Sequence, residues 1–424
     1  MKARVFKFGG ASVRDADGIQ NAARIIRDFG NSSNLVVVVS AMGKTTNALE
    51  ELLDLAIGNS DYTYRLEALR NYHFSVAEKL FPEPSVFEQV RSGLQDRIDS
   101  LNEKLIQAKE TDRDFAYDQV VCMGEYLSSF LLFSVLKAEG FTVNLIDASG
   151  IILTDDTWRE GEVKLEESAR AARNRLLPLL GSGMVLTQGF LGGTGDGLRT
   201  TLGREGSDYT AALLAYFLDA ESVSIWKDVP GVLSADPAWK PDAVLLPELS
   251  YQDAAELTYY GATVIHPKTI RPLAWKKIPL HVRSFLNPEG NGTLVGPELK
   301  KQRQQSWIRK KNQVLVSLSS RDFSFMEEKN IHEVLQAFSA AGLHMQMLQV
   351  SATSISVVTD GEERRLERAF MKINEQYSVL FNRNLTLITI QNPEEEAMGF
   401  RINGKMPILA QRTRSTLQLL FSEE

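Results

Sequence analysis

The chain has 424 residues, of which 43% are apolar and 24% charged, and is typical of a globular protein with two or three domains. Its formal net charge of −7 argues against a nucleic-acid-binding protein and favours an enzyme acting on small molecules. Cys122 is the only cysteine, which excludes an intrachain disulfide framework and a thiolate metal cluster. No signal-peptide core opens the sequence and the apolar run Val36–Val39 is too short to span a membrane, so we expect a cytoplasmic protein with no membrane or nucleic-acid partner.

Short β-branched runs alternate with longer helical patterns through the first 300 residues, which predicts an α/β fold with a mainly parallel sheet covered on both faces. Strands are predicted at Arg4–Phe8, Asn34–Ser40, Thr142–Asp147, Met184–Gln188, Ser222–Lys227 and Leu280–Arg283. Between them, Tyr62–Lys109 is predicted to be long, charged helix with a break at Phe81–Pro84. The segment Gly296–Lys311, rich in Lys, Arg and Gln, is predicted to be a linker.

The pattern changes after this segment to β-α-β-β-α-β, the ferredoxin-like layout of small ligand-binding modules. The predicted elements are, in order, Gln313–Leu318, Lys329–Gly342, Met345–Val350, Ser354–Thr359, Glu362–Tyr377 and Leu385–Ile390. The remaining residues, 396–424, contain a strand-like run, Thr416–Phe421, and are too few for a second complete module.

A glycine pair, Gly9 and Gly10, joins the first strand to a predicted helix over Arg14–Phe29. Glycine amides can point at a phosphate, and the positive end of a helix lies at the same place, although tight turns also use such pairs. With Lys7 and Ser12, the run K-F-G-G-A-S-V resembles the opening motif of aspartate kinases, which implies that Gly9, Gly10 and Ser12 bind nucleotide phosphate and that Lys7 is catalytic.

The second motif runs from Ser40 to Asn47. Its Gly-Lys-Thr imitates the end of a P-loop, but that motif needs a glycine where this chain has Val38, so we reject the P-loop. The run is similar to S-A-x-x-x-x-T-N of aspartate kinases, which implies that Ser40 and Thr46 lie beside the substrate; an N-cap in a serine-rich turn is the alternative.

The third motif is Gly124-Glu125. Alone, Glu125 is an acidic residue near a helix start, where it stabilises the macrodipole. In aspartate kinases the matching Gly-Glu supplies a carboxylate for the amino group of the substrate, so the resemblance implies that role for Glu125.

The fourth motif, Thr201–Ala212, resembles T-L-G-R-G-G-S-D-Y-[ST]-A-A of aspartate kinases at all but one position. The planar fork of Arg204 suits the non-reacting carboxylate of an acidic amino acid, and the resemblance adds Ser207 to the substrate site and Asp208 to the catalytic residues. Without the flanking match, Asp208 would be a plain N-cap. Glu205 replaces a glycine, and we expect its side chain to point to solvent because an inward carboxylate would repel phosphate.

The fifth block, Ser224–Pro237 with Tyr260–Thr269, resembles the nucleotide segments W-T-D-V-x-G-[IV]-Y-[TS]-x-D-P-R and F-G-A-K-V-[LI]-H-P. The resemblance implies these nucleotide contacts: Lys227, Asp228, Leu233, Asp236, Pro237 and Lys268. Two family cations are missing, at Ala238 and Thr263, while Lys227 replaces a threonine and Leu233 a tyrosine. Lys227, Lys240 or Lys268 can restore the missing charge, and His266 is predicted to be structural.

These groups suit phosphoryl transfer to a carboxylate. A side-chain carboxylate, with a pKa of roughly 4, is already a nucleophilic anion at neutral pH and needs no general base. Catalysis is then positioning and charge neutralisation by Lys7, the Gly9 and Gly10 amides, Mg²⁺ and helix N-termini, which explains why no Ser–His–Asp arrangement is present. By the resemblance, Asp208 orients the lysine and the transferring group. No side chain is assigned as a metal ligand.

The resemblance to aspartate kinases covers nearly the whole chain. It implies a three-layer αβα amino-acid-kinase domain at 1–300, a ferredoxin-like ACT regulatory domain at 312–391 and a reduced second ACT remnant at 392–424. The implied reaction makes 4-phospho-L-aspartate from L-aspartate and ATP with Mg²⁺, as the first step of the lysine, threonine and methionine branch. An amino-acid effector at the ACT region and a homodimer or higher homo-oligomer are also expected.

Two kinds of alternative remain open. Acetylglutamate, glutamate 5- and uridylate kinases share the fold, but the Ser40–Asn47 block, the long helical segment and Gly124-Glu125 favour aspartate. A non-catalytic amino-acid-sensing homologue with a decayed nucleotide site is supported by Leu233, Ala238 and Thr263 and opposed by Lys7, Arg204 and Asp208.

Overall fold

The computed structural model describes residues 2–30, 34–262, 264–297, 304–322, 324–373, 376–402 and 404–422. The chain folds into two compact units. The first consists of Met1–Val232, Leu245–Ala255 and Val264–Gln302, and the second of Leu233–Val244, Glu256–Thr263 and Arg303–Glu424. Two short segments of the range 1–300 are thus assigned to the second unit.

The first unit is built on an eight-stranded sheet and a small hairpin. In chain order its strands are β1 (Arg4–Phe8), β2 (Leu35–Val39), β3 (Val143–Ile146), β4 (Met184–Gln188), β5 (Leu191–Gly193), β6 (Arg199–Thr201), β7 (Ser222–Lys227), β8 (Glu248–Ser250), β9 (Leu280–Ser284) and β10 (Thr293–Gly296). The sheet order is β3-β4-β2-β1-β7-β9-β10-β8, and all its neighbours are parallel except β9 and β10. Strands β5 and β6 form the antiparallel hairpin. The mainly parallel sheet and all six predicted strands are confirmed, with ends that differ by at most one residue.

The helices up to residue 297 cover this sheet or lengthen its connections. They are α1 (Ala16–Phe29), α2 (Thr45–Ile57), α3 (Thr63–Leu80), α4 (Pro84–Gln107), α5 (Arg113–Val121), α6 (Met123–Ala138), α7 (Leu165–Leu176), α8 (Gly206–Phe217), α9 (Tyr251–Tyr260) and α10 (Pro267–Lys276). Local chemistry fixes several of their starts. Asp15 caps α1 by accepting from the Gly18 amide, and Pro84 opens α4 after the predicted break.

The core of the first unit lies on either side of the sheet. All five residues of β2 are buried, as expected for a central parallel strand. One face packs α1, α4 and α6 against β1 and β2, with Ile26, Val37, Leu94 and Leu131 in a single cluster. Burial of such side chains contributes roughly 1.5–3 kcal/mol each and fixes the positions of the strand ends.

The run Arg113–Ala138, which contains α5 and α6, is the single helical run in the described parts of the chain that is long and apolar enough to cross a membrane. Its mean hydropathy is 1.5, but 78% of the apolar window is buried inside the protein. Leu127, Leu131 and Leu136 belong to the main core. A core helix passes the same test of length and composition, and the burial identifies this run as one.

Four neighbouring parallel strands, in the order β4-β2-β1-β7, bring the predicted motifs to one edge of the sheet. Strand β1 is followed by Gly9, β2 by Ser40 and β4 by Gly189, while β7 ends at Lys227. In sheets of this kind, ligands bind beyond the carboxyl ends of the strands. The topology therefore places four separate stretches of sequence around one site.

The second unit is built on one six-stranded antiparallel sheet. Its strands are β11 (Ser306–Ser320), β12 (Met345–Val350), β13 (Ser354–Asp360), β14 (Tyr377–Gln391), β15 (Leu409–Arg412) and β16 (Thr416–Ser422). They lie in the order β12-β13-β11-β14-β16-β15. Helices α11 (Glu328–Ala340) and α12 (Glu363–Ile373) pack through Val334, Phe338 and Leu366 onto β11 and β13. The β-α-β-β-α-β order, and with it the ferredoxin-like ACT-type region, is confirmed.

The linker prediction over Gly296–Lys311 is wrong at its end. Residues 298–303 lie outside the described residues, but β11 begins at Ser306, and Trp307 and Ile308 pair with β14. The basic and polar residues concealed this strand because Arg309 and Lys310 are only partly buried within it. Trp307 instead packs against Phe400 and Trp239.

The last part of the chain extends the same sheet. Strand β16, predicted at Thr416–Phe421, pairs with the second half of β14, and β15 adds the edge. Ile388, Leu417 and Phe421 form a second small core under a 3₁₀ turn at Glu395–Gly399. In the described residues after β14, this turn is the helical element, so the second half of the sheet lacks the α-helices of the first.

Candidate active site

A buried ion-pair cluster lies at the carboxyl edge of the parallel sheet. The Lys7 Nζ of β1 is 2.6 Å from Asp208 Oδ1, and the Lys227 Nζ of β7 is 3.1 Å from Asp208 Oδ2. Asp208 is fully buried in the first turn of α8. Burial alone would raise its pKa, but the two ammonium groups outweigh burial and hold the pKa below its usual value. Asp208 is therefore a carboxylate that positions two cations.

The glycine pair lies immediately beside these cations. A Cβ at Gly9 would be 3.4 Å from the Lys7 Nζ, and one at Gly10 would be 2.7 Å from the carbonyl oxygen of Ala41. The Gly43 amide donates to the Gly10 carbonyl at 3.0 Å, which joins the loops after β1 and β2. Glycine is required at position 10 for this close approach. The buried Ser12 donates its hydroxyl proton to the Trp226 carbonyl at 3.1 Å, so this predicted nucleotide contact also ties the loop to β7.

Three of the predicted substrate residues are linked by hydrogen bonds near Asp208. The Ser207 hydroxyl donates to the Ser40 hydroxyl oxygen at 3.3 Å. The Ala41 amide donates to Glu125 Oε1 at 3.1 Å, and Glu125 Oε2 has no hydrogen-bond partner among the residues described. Thr46 is half-buried in the first turn of α2. Ser40 and Ser207 thus contact each other, and Glu125 accepts from the residue after Ser40 while its second carboxyl oxygen stays unused.

Glu125 is almost completely buried at the start of α6. Burial raises its pKa to about 8, against the opposing effects of the Ala41 amide and of the Lys7 charge. A buried carboxyl group with an unused oxygen is ready to bind a cation, because an ammonium group would both neutralise and hydrogen-bond it.

The neighbouring motif residues Arg204 and Glu205 have different surroundings. Arg204 is exposed and, within the described residues, forms no ion pair. Glu205 does not point to solvent as predicted, since its Oε2 lies 3.8 Å from the Lys227 Nζ. It adopts left-handed backbone geometry with φ of 56° just before α8, and the ammonium group attracts its carboxylate inward. The expectation failed because it ignored the added cation at position 227.

The other predicted nucleotide residues are dispersed. Asp228 is exposed at the end of β7. The Lys268 amide donates to His266 Nδ1 at 3.2 Å, so His266 caps α10, and burial followed by the Lys268 charge lowers the pKa of His266. Glu205 and Asp208 also act on this pKa, which places the start of α10 near the cluster.

Leu233, Asp236 and Pro237 belong to the second unit, so their contact with nucleotide stays a prediction. Asp236 closes a turn by accepting from the Ala238 amide at 2.9 Å. Lys240, one of the cations considered as a replacement, instead donates to Asp242 at 2.6 Å in this unit. Thr263 lies outside the described residues.

Sequence reasoning missed Asp118 of α5, which is fully buried. One of its oxygens accepts from the Thr201 hydroxyl at 2.7 Å, and its carboxylate accepts from the Thr201 and Arg159 amides at about 3.0 Å. Burial raises its pKa to about 6 despite these hydrogen bonds. Asp118 thereby fixes the strand that leads to Arg204. The available signal was an acidic residue inside the apolar run Phe115–Met123.

Known proteins resemble this chain over most of its length. The model of the amino acid kinase family matches residues 2–284. The lysine-sensitive aspartokinase 3 of Escherichia coli is 33% identical over 362 residues, which cover 84% of this chain and 78% of that protein. Aspartokinase 1 of Arabidopsis thaliana chloroplasts is 32% identical over 367 residues, covering 84% of this chain and 63% of the relative, which is less than two thirds of its length.

Among solved structures, that of E. coli aspartokinase III in complex with aspartate and ADP matches with a TM-score of 0.84 at 27% identity. The match covers 99% of this chain and 96% of that one, so it includes both units. The chain therefore belongs to the amino acid kinase family and, within it, to the aspartokinases.

Proposed function

We propose that this chain is an aspartate kinase that transfers the γ-phosphate of ATP to the side-chain carboxylate of L-aspartate and forms 4-phospho-L-aspartate. The observation that carries the proposal is the Lys7–Asp208–Lys227 cluster beside the Gly9–Gly10 amides, with the free oxygen of Glu125 nearby. A similar structure holds aspartate and ADP, which supports these two ligand classes.

The geometry suits a nucleophile that is already charged. The aspartate carboxylate is ionised at neutral pH, so the barrier comes from its repulsion by the phosphate. Lys7 and the glycine amides offset the charge of the γ-phosphate as it leaves ADP. Asp208 takes no proton, because two ammonium groups keep it ionised and fix their positions.

Glu125 and Arg204 hold the two ends of the amino acid that do not react. The unused Glu125 oxygen accepts from the substrate ammonium group, and the exposed Arg204 fork binds the α-carboxylate. Ser40 and Ser207, whose hydroxyl oxygens lie 3.3 Å apart, can donate to the reacting carboxylate. Held at three points, the substrate has a fixed direction of attack.

Mg²⁺ fits this site as a metal bound mainly by nucleotide phosphates. Within the ranges described above, no three His, Cys, Asp or Glu side chains come together to hold a metal ion. Mg²⁺ in kinases is commonly bound by phosphates, waters and one or two carboxylates. Asp208 is paired with two lysines, so Glu205 and Asp228 are the other carboxylates that act on Lys227 at this end of β7, and bound Mg²⁺ would neutralise phosphate charge.

Trapping the acyl phosphate with hydroxylamine tests the proposal. ATP, Mg²⁺ and one acceptor are supplied in turn: L-aspartate, L-glutamate, N-acetylglutamate or UMP. We expect a hydroxamate with L-aspartate and none with UMP. A hydroxamate only with glutamate or acetylglutamate would assign the chain to another activity of the family. Binding of aspartate and ATP without any product would favour the non-catalytic sensing homologue.

The biological setting belongs to the same proposal. The reaction would be the first step of the lysine, threonine and methionine branch, in the cytoplasm. The ferredoxin-like half of the second unit supports an amino-acid effector at the ACT-type region, and a homodimer or higher homo-oligomer belongs to the same proposal.

A further inference from the structure

Glu205 and Lys227 face each other at the mouth of the proposed phosphate site. Glu205 precedes α8, Lys227 ends β7, and their charged atoms lie 3.8 Å apart. These are also two positions at which the chain departs from the aspartate kinase motifs, where glycine and threonine stand. An added carboxylate and an added ammonium group therefore occur together and in contact range.

Lys227 is placed to reach nucleotide phosphate. Its neighbour Trp226 pairs with Phe8 across the sheet, so the next pair of positions sets Lys227 beside Gly9. Its Nζ is 3.1 Å from Asp208, and 15% of its side chain is exposed. Asp208 thus carries Lys7 on one oxygen and Lys227 on the other.

The two carboxylates hold Lys227 unequally. Asp208 is fully buried and close, whereas Glu205 is farther away and its side chain is 33% exposed. Burial would lower the pKa of Lys227, but these two carboxylates outweigh burial and raise it, so the ammonium form persists. An incoming phosphate oxygen can displace Glu205, the more weakly bound and better hydrated partner.

The charges also balance as a group. Lys7, Lys227, Asp208 and Glu205 sum to zero, whereas loss of Lys227 alone would leave one uncompensated negative charge where phosphate must bind. Loss of Glu205 alone would remove the carboxylate that draws Lys227 outward and would leave the Lys227 ammonium to shift toward Asp208. Each residue of the pair is then harmful without the other.

We propose that Glu205 and Lys227 form a compensating charge pair in which Lys227 binds nucleotide phosphate and Glu205 is the positioning residue that keeps the Lys227 ammonium on the outer side of Asp208. The inference rests on the proposed kinase function and adds to it a phosphate-binding cation, Lys227, and the residue that positions it, Glu205. It also gives a role to the carboxylate that replaces a glycine in the substrate motif.

A double-mutant cycle in nucleotide affinity tests the pair. Glu205→Gln and Lys227→Met keep the shapes and remove the charges, and ADP binding to both single variants and to the double variant is measured by calorimetry. We expect Lys227→Met to weaken ADP binding at least tenfold. The double variant should bind ADP at least threefold more tightly than independent effects of the two substitutions would give. A coupling below threefold, or unchanged affinity in Lys227→Met, would overturn the proposal.

Kinetics separates positioning from a general structural effect. Glu205→Gln should lower kcat at saturating ATP by at least fivefold while changing the ADP dissociation constant less than threefold, and Glu205→Asp should restore part of the rate. A fall in ADP affinity equal to the fall in kcat, or no recovery with aspartate at position 205, would show that Glu205 does not position Lys227. Circular dichroism confirms that each variant is folded.

A matched pair elsewhere in the first unit provides the control. Lys276 and Asp219 form an ion pair of the same chemistry, and Asp219→Asn and Lys276→Met should leave ADP affinity unchanged. Because ADP binding needs no aspartate, coupling among the variants together with a wild-type protein that forms no hydroxamate would contradict the kinase proposal alone. A protein that forms the hydroxamate but shows no coupling would contradict the charge pair alone.

Discussion

At the scale of single residues, three buried carboxyl groups of the first unit differ because their neighbours differ. Asp208 has two ammonium groups within 3.1 Å and a lowered pKa. Glu125 has one amide donor and a raised pKa, and Asp118 has three donors from neutral groups and a raised pKa. Cations outweigh desolvation here, whereas neutral hydrogen bonds do not. The first environment suits orientation of phosphate-binding lysines, and the second suits capture of an ammonium group.

Lys7→Ala should lower kcat by about 10²–10³-fold, because it removes a preorganised charge that matters most as the γ-phosphate leaves ADP. The fold should persist, since Asp208 retains Lys227 as a partner. Steady-state kinetics with circular dichroism measures both effects. Lys79→Ala, an exposed lysine of α3, is the control and should behave as wild type. A near-wild-type rate in Lys7→Ala would remove Lys7 from the mechanism.

The pH dependence of aspartate use should report Glu125. Its pKa of about 8 means that the free enzyme is mostly protonated at neutral pH, and only the carboxylate can pair with the substrate ammonium group. We expect kcat/KM for aspartate to rise with pH through about 8, since this ratio reports groups of the free enzyme. Glu125→Gln should lower kcat/KM and lose this ionisation, while Glu78→Gln, at an exposed position, keeps it. A profile that stays flat from pH 7 to 9 in the wild type would contradict the role.

The raised pKa of Glu125 also makes the free energy of unfolding depend on pH. The folded pKa lies above the ordinary value of 4.5, so the folded state binds more protons than the unfolded state between these pH values. The contribution of Glu125 to the free energy of unfolding should therefore fall as the pH rises from 4.5 to about 8. Glu125→Gln lacks a titrating group, so its stability should vary less across this window, as measured by thermal unfolding.

Arg204→Ala should raise the KM for aspartate far more than that for ATP. Loss of a bidentate, charge-assisted carboxylate contact costs on the order of 2–3 kcal/mol, or about 30- to 150-fold. Arg204→Lys keeps the charge without the planar fork and should recover only part of the affinity. An effect confined to the KM for ATP would place Arg204 in the nucleotide site instead.

The site residues could be predicted where a motif fixed both residue type and backbone. Lys7, Gly10, Ser40, Glu125 and Asp208 come together as expected because each motif follows or faces a strand end. The direction of Glu205 could not be predicted, because it depends on Lys227, 22 positions later in the sequence, through a contact across the sheet edge. Asp118 was missed for the same reason, since its partners are on two other segments.

At the scale of elements, buried parallel strands were predictable and short edge strands were not. The run Leu35–Val39 is continuous and apolar, which is typical of a strand covered on both faces. Strands β8 and β10 have only three and four residues, with β8 at the edge of the sheet and β10 next to it, so no periodicity marks them. The strand at Ser306 was mistaken for a linker because Arg309 and Lys310 are consecutive and only partly buried, so neither face shows a continuous apolar pattern there.

Asp118 of α5 accepts hydrogen bonds from two other segments, so its loss should change the structure beyond α5. Asp118→Ala leaves the Thr201 and Arg159 amides without their acceptor, and we expect about 1–3 kcal/mol less free energy of unfolding. Amide hydrogen exchange at Thr201 should accelerate, and the KM for aspartate should rise because Arg204 follows this strand. Asp112→Ala, which removes only the cap of the same helix, should cost about 1 kcal/mol without changing exchange at Thr201. Equal exchange in the two variants would contradict the coupling.

At the scale of the whole molecule, the division into two units was only partly visible in the sequence. The change from alternating strands and helices to the order β-α-β-β-α-β is visible in the sequence pattern and was predictable. The assignment of residues 233–244 and 256–263 to the second unit depends on contacts such as those of Trp239 with Trp307, which no local pattern reveals. Likewise, the described residues after β14 complete the sheet by forming β16 and β15, although they are too few for a full module.

Gln346 of the ACT-type region bears on inhibition by lysine. The resemblance implies that an aspartate of the first ACT unit binds the amino group of the inhibitor in lysine-inhibited aspartate kinases, and we align Gln346 of β12 with that aspartate. The Gln346 Oε1 already accepts from the Lys310 Nζ of β11 at 2.8 Å. An amide lacks the negative charge that would attract an ammonium group of the inhibitor, and here an ammonium group of the chain itself already occupies the amide oxygen.

We therefore expect weak or no inhibition by lysine, and threonine is the better candidate if any amino acid acts. With the second half of the sheet lacking α-helices in its described residues, an effector site would be built across subunits of an oligomer or be absent. Initial rates of hydroxamate formation are measured with lysine, threonine and norleucine, the last a lysine analogue without the side-chain ammonium group. Equal, weak effects of lysine and norleucine would support the prediction. Inhibition by lysine at concentrations well below that of aspartate, with norleucine inactive, would show that Gln346 does not weaken the site.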